Sequence, residues 1–267
     1  MALAKTGDIE LSYDRRGDGP PLLLIMGMSG TKHHWGEQVL EELRRDFDTI
    51  VYDHRDAGDS TKTGEPFTIA QLAEDAAGLL RALELDSAHV MGISMGGMIA
   101  QELALSNPEL VRALTLGCTY CGGEGSMLTS EAVLRKIMEG MSSGDRERAI
   151  RTGWEVNVSP SFAANEEAYA KFLQNGLRYG VAVPVIMEQM RAITGHDTSA
   201  RLPGLQPPTL IVHGTLDQML PVENAHMIAG LIPGSRLEIL EGIGHMFFLE
   251  EPQRTAELVR EHASVNA

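Results

Sequence analysis

Six short apolar runs alternate with helical stretches along the chain: Leu22 to Met26, Thr49 to Tyr52, Ala88 to Ile93, Ala113 to Cys118, Thr209 to His213 and Leu237 to Leu240. Strands this short and this apolar are buried on both faces. Strands separated by helices join side by side only through crossovers, so the pattern predicts a mostly parallel sheet with helices covering it. Two covering helices are legible, Ile69 to Leu83 with apolar residues at helical spacing and Met98 to Ser106, which stops before Asn107 and Pro108. Near the start, Ile9 to Tyr13, followed by Arg15, Arg16, Gly17 and Asp18, reads as an antiparallel hairpin strand leading into Pro20 and Pro21.

Between residues 120 and 198 the pattern changes, with no strand and three or four helical segments in succession. The expected organisation is a core of residues 1–119 and 199–267 carrying an inserted helical cap at 120–198. Trp154, Phe162, Tyr169, Phe172 and Tyr179 enrich this segment in aromatics, and Met187 and Met190 add pliable apolar surface. These side chains either fill the cap's own small core or roof a site beneath it.

Gly92, Ile93, Ser94, Met95 and Gly96 lie where the run Ala88 to Met91 gives way to the small-residue helical pattern Gly97 to Leu105. A G-x-S-x-G turn between strand and helix holds its serine in a strained backbone conformation with Oγ exposed, so Ser94 is the candidate nucleophile. Gly140, Met141, Ser142, Ser143 and Gly144 match the same expression. That match follows a helical pattern, Glu131 to Glu139, and reads as a helix end with Gly140 as the stop, so Ser142 is a decoy.

A serine hydroxyl needs a base to take its proton and a carboxylate to orient that base. His245, in Gly242-Ile243-Gly244-His245, follows the last apolar run, and Asp217 follows the run before it. The order Ser94, Asp217, His245 is that of an α/β-hydrolase and not of the other serine hydrolase folds. No carboxylate follows Ala113 to Cys118 until Glu124, which disfavours an acid there. His213, His89 and His54 fall in strands, strand starts or loops, where core or hydrogen-bonding duties suffice. Backbone donors for an oxyanion are expected from Met95, after the nucleophile, and from Met28 in the loop Met26-Gly27-Met28-Ser29-Gly30.

With the elbow Gly92 to Gly97, the loop Met26 to Gly30, Asp217 and Gly244-His245, the chain resembles the α/β-hydrolase superfamily over nearly its whole length outside the cap. Asp53, Arg55, Gly58 and Ser60 also match that family's D-x-R-x-x-G-x-S turn, which in relatives shapes the loop beside the oxyanion hole. The Met-Gly loop and the Asp-His-Arg-Asp turn are similar to aclacinomycin methylesterases, and Gly92 to Gln101 to 3-oxoadipate enol-lactonases. One departure is Met26, where many relatives carry a histidine that buttresses the oxyanion loop. The resemblance implies an α/β-hydrolase fold, a mostly parallel eight-stranded sheet flanked by helices with an inserted helical cap.

The expected function is a serine hydrolase that cleaves a carboxylic ester through an acyl-enzyme on Ser94, using neither metal nor cofactor. The same motifs serve lactonases, carbon-carbon bond hydrolases, cofactor-free perhydrolases of the haloperoxidase type and non-catalytic ligand receptors. Methionines beside the site would oxidise under peroxide, which disfavours the perhydrolase. Met26, Met28, Met95, Met98, Met219 and Met246 neighbour the catalytic elements and favour an uncharged, apolar small-molecule ester. A net charge of -15 with scattered Lys and Arg disfavours nucleic acid and anionic membrane surfaces. The segment Met1 to Glu10 has no apolar signal core, which points to a cytoplasmic protein. Cys118 and Cys121 are too few for a disulfide framework and read as buried small apolar residues; oligomeric state stays open.

Overall fold

The structure is a computed structural model describing residues 2–265. Eight strands form one sheet: β1 (Ala2–Thr6), β2 (Ile9–Arg16), β3 (Pro21–Ile25), β4 (Asp48–Tyr52), β5 (Ala88–Ile93), β6 (Val111–Gly117), β7 (Thr209–Gly214) and β8 (Arg236–Leu240). Their order is β1-β2-β4-β3-β5-β6-β7-β8, with β1 and β2 antiparallel and β3 to β8 parallel. All six expected runs are strands. The polar hairpin strand β1 has no apolar run to announce it, and β2 extends through Arg15 and Arg16, where Arg15 pairs with Asp48 of β4.

The helices are α1 (Glu37–Leu43), α2 (Ile69–Ala82), α3 (Met95–Ser106), α4 (Glu131–Ser142), α5 (Arg146–Asn157), α6 (Pro160–Ala163), α7 (Glu166–Tyr179), α8 (Val183–Thr194), α9 (Glu223–Leu231), α10 (Phe247–Glu250) and α11 (Pro252–Val265). The sheet divides the core in two because successive strand residues point to opposite faces. In β3, Leu23 and Ile25 join the α2 and α3 side, while Leu22 and Leu24 join the α1 and α11 side. Both layers exclude water from β5, all six of whose residues are buried.

The five helices α4 to α8 lie in the stretch between β6 and β7 that lacks strands. Trp154, Val158 and Tyr169 form a small apolar cluster there with Phe162 and Phe172, continued by Met246 and Leu249. Four of the five aromatics therefore pack among themselves, and Tyr179 stacks on His33 at 3.8 Å between ring centres. Gly140 does not stop α4. The helix continues to Ser142, and Gly144, at φ 73, supplies the left-handed residue that ends it.

From β3 the chain passes to β4 on one side and, after α2, to β5 on the other. Strands that diverge in this way leave a crevice at their carboxyl ends, the usual place for a ligand in such sheets. The loop Met26 to Gly30 and Ser94 both lie there.

Candidate active site

Ser94 follows β5 directly and caps α3 with φ 54 and ψ -124, a conformation that L residues adopt only under strain. Its surroundings over-determine it. Its N–H donates to Gly117 O at 2.9 Å, while its carbonyl accepts from Gly97 N at 2.9 Å, Met98 N at 3.2 Å and Thr119 Oγ1 at 2.8 Å. The elbow glycines are required by contact. A Cβ on Gly92 would lie 2.1 Å from Gly96 O, and one on Gly96 would lie 2.0 Å from Ile25 O. The side chain of Ser94 is half-buried. The decoy Ser142 is an exposed helix terminus on α4, with no strand before it.

Asp217 and His245 come from the loops after β7 and β8, and they meet: Nδ1 of His245 donates to Oδ2 of Asp217 at 2.7 Å. That bond leaves Nε2 as the acceptor of the neutral ring. Oδ1 of Asp217 accepts the N–H groups of Met219 at 2.8 Å and Leu220 at 2.9 Å. Nε2 of His213 faces two oxygens, Leu220 O at 2.8 Å and Oδ2 of Asp217 at 3.0 Å, so it carries the proton and shares it between them. His213 is thus a fourth donor to the acid. The sequence alone suggested only core or hydrogen-bonding duties for it, and its position four residues before Asp217 was the available signal.

Burial opposes ionisation of Asp217, but His245 and His213 outweigh it and hold the carboxyl well below the usual carboxylate range. Burial alone would depress His245; the adjacent Asp217 carboxylate, with a further contribution from Cys118, leaves its pKa raised well above 6.5. Sγ of Cys118, a carboxylate oxygen of Asp217 and a ring nitrogen of His245 lie within 4.8 Å of one another. Burial pushes the Cys118 thiol up, so it stands beside the pair as a neutral group. With four N–H donors already converging on Asp217, the trio is built to hold a carboxylate rather than a cation.

The loop over Ser94 is held from several directions. A Cβ on Gly27 would lie 3.1 Å from Ser94 Cβ and 3.7 Å from Oγ, so the loop lies against Ser94. Nε2 of His54 donates to Met26 O at 2.8 Å. A histidine from the neighbouring strand end therefore supports the loop where many relatives place one at position 26. Asp53 accepts the Lys32 N–H at 2.8 Å and pairs with the buried Lys32 ammonium at 2.8 Å, fixing the loop's far end. Arg55 pairs with Asp75 of α2 through two 2.6 Å bonds, which anchors the 53–60 turn beside the loop Met26 to Gly30. The N–H of Met95 opens α3 and belongs to the first-turn donors without an intrahelical partner. Met28 is half-buried and packs against the core layer that holds Met95 and Met98, while Met26 is buried in the opposite layer.

The loop carrying His245 is clamped by the helical segment. Glu250 accepts the N–H groups of Gly244 and Ser159, both at 2.9 Å, and Met246 N donates to Asn157 O at 2.7 Å. A cleft of about 680 Å³ lies elsewhere, between α7 and the segment 32–40, and none of Ser94, Asp217 or His245 lines it.

Comparison with known proteins agrees with this fold. The model of the α/β hydrolase fold family matches residues 20–252. A provisionally named carbamate hydrolase, RutD, of Azorhizobium caulinodans is 28% identical over 267 residues, covering 97% of each chain. The structure of the esterase RhEst1 from Rhodococcus sp. is similar at a TM-score of 0.85 and 25% identity, covering 100% of this chain and 99% of its own. Est816, described as an N-acyl homoserine lactone degrading enzyme, is similar at a TM-score of 0.78 and 28% identity, covering 97% and 99%. Among the described residues no helix is long and apolar enough to cross a membrane. With the family model spanning β3 to β8, the turn around Ser94 and the loops that carry Asp217 and His245, the chain belongs to the α/β hydrolase fold family.

Proposed function

We propose that this chain is a serine hydrolase of carboxylic esters that works through an acyl-enzyme on Ser94. The observation that carries the reading is the strained, half-exposed Ser94 at the switch point of the sheet, in a crevice it shares with a buried Asp217–His245 pair joined at 2.7 Å. In this reaction Nε2 of His245 takes the proton of Ser94 Oγ as the Oγ–acyl carbon bond forms. The same proton then goes to the leaving alkoxide as the ester C–O bond breaks, and water repeats the cycle to release the acid. The N–H groups of Met28 and Met95 are the proposed oxyanion donors, each contributing about 3 kcal/mol to the transition state. Residues 120–198 act as the cap of the core formed by 1–119 and 199–267. The half-buried Met28, next in the chain to Gly27 over Ser94, gives the site an apolar border suited to uncharged small-molecule esters.

The direct test is a burst experiment with p-nitrophenyl butyrate followed by peptide mapping. One acyl group per chain, recovered on the peptide holding Ser94, is the expected result. A stoichiometric label on any other residue would remove Ser94 from the reaction. A second reading, opening of a cyclic ester by the same steps, draws on the 28% identity to Est816. A lactone kcat/KM exceeding that of every linear ester would favour it.

The base form of His245 is the working form, so activity rises with pH through the raised pKa. The midpoint of the acid limb of kcat/KM is expected above 6.5, the ordinary histidine value. Asp217→Asn should move it downward while lowering the rate. A wild-type midpoint below 6.5 would argue that Asp217 is not the partner that holds the proton on His245.

A further inference from the structure

The oxyanion loop has one support that does not come from the core. Ser29 adopts φ 61, a left-handed conformation costly for a residue with a Cβ, and its N–H donates to Oε1 of Gln189 at 2.9 Å. Gln189 belongs to α8, 160 residues further along the chain, and is fully buried. Its helix is fastened on both sides of that contact. Glu188 accepts the Phe67 N–H at 2.9 Å, and Arg191 donates to Phe67 O at 2.7 Å.

The bond to Ser29 also decides which way the carboxamide points. Only its oxygen can accept the Ser29 N–H, so Nε2 faces away from the loop. That nitrogen is buried and has no hydrogen-bond partner in the protein. A buried amide donor is costly unless an acceptor meets it. Ser29 lies two residues from Gly27, which packs on Ser94, so the carboxamide is joined directly to the loop that lies over the serine.

We propose that Gln189 reads the acyl group: its carbonyl oxygen sets the oxyanion loop through Ser29, and its amide nitrogen donates to a second oxygen on the acyl chain, beyond the scissile carbonyl. The preferred substrates are then esters whose acyl part carries an ether, carbonyl or hydroxyl oxygen near the ester group. This rests on the ester-hydrolase reading above. Towards the loop Gln189 is a positioning residue; towards the substrate it is a specificity determinant.

The test uses p-nitrophenyl butyrate and p-nitrophenyl methoxyacetate, which differ by one CH2 replaced with oxygen, on the wild type, Gln189→Leu and Gln189→Met. Dividing one kcat/KM by the other and comparing across proteins cancels the esters' different intrinsic reactivity. Both variants are expected to lose about tenfold in the methoxyacetate-to-butyrate ratio, through a raised KM for methoxyacetate, as for one lost hydrogen bond. They should also lose roughly tenfold in kcat on butyrate, through the loosened loop. A purely structural role would lower both esters equally. An unchanged ratio in folded variants therefore overturns the inference while leaving the hydrolase reading intact. Absence of Ser94-dependent turnover of either ester by the wild type overturns that reading and this inference with it. Product inhibition of the wild type is a variant-free measurement: Ki for methoxyacetate should lie about tenfold below that for butyrate, and equal values would overturn the assignment.

Discussion

Ser94→Ala is expected to lower kcat/KM on p-nitrophenyl esters by roughly 10⁴ to 10⁶-fold, with any residue of rate coming from binding and the oxyanion donors. The fold should persist, because the substitution removes only Oγ. The backbone bonds that hold the elbow, from Ser94 N to Gly117 O and to Ser94 O from Gly97, Met98 and Thr119, do not involve that atom. A melting temperature within about 3 °C of wild type corresponds to less than about 1 kcal/mol in a chain of this size. Ser142→Ala, on the exposed end of α4, should keep full activity. More than a few per cent of wild-type activity in Ser94→Ala, with contamination excluded, would remove Ser94 as the nucleophile.

Gly96→Ala is expected to be the most destabilising single-methyl change near the site. The new Cβ would lie 2.0 Å from Ile25 O, 2.6 Å from Ile25 C and 2.8 Å from Met26 O, all backbone atoms that no rotamer change can move aside. Either α3 lifts from the sheet or the end of β3 shifts, and the second route displaces the loop that begins at Met26 and packs on Ser94. A cost of about 4 kcal/mol or more follows, read as a lowered urea midpoint at unchanged m-value. The matched control is Gly153→Ala in α5, where an added Cβ meets nothing within 4 Å. There the helix gains roughly 0.5–1 kcal/mol from alanine's propensity. Equal midpoints for the two variants would contradict the packing of the elbow against β3.

Much of this arrangement was legible because it is local. The elbow needs five consecutive residues between a strand and a helix, and the apolar runs that became β3 to β8 announce themselves within a few positions. The order Ser94, Asp217, His245 placed each residue at a strand's carboxyl end, and a parallel sheet brings such ends to one edge whatever the details of packing. β1 was not legible, because its residues alternate between exposed and buried without an apolar run. Gly140 misled as a helix stop for a related reason. Glycine ends a helix by propensity, yet this one is buried inside α4 against Thr152, where a side chain would crowd the neighbouring helix.

The sequence by itself determined the fold class and the positions of Ser94, Asp217 and His245 on it. It left silent the contacts that tune them: His213 on Asp217, Cys118 beside His245, His54 under Met26 and Gln189 on Ser29. Periodicity and motif spacing report how a segment meets its nearest neighbours in the chain. These contacts join segments up to 160 residues apart, and only the packing of the helices and strands decides which polar atoms finally face each other.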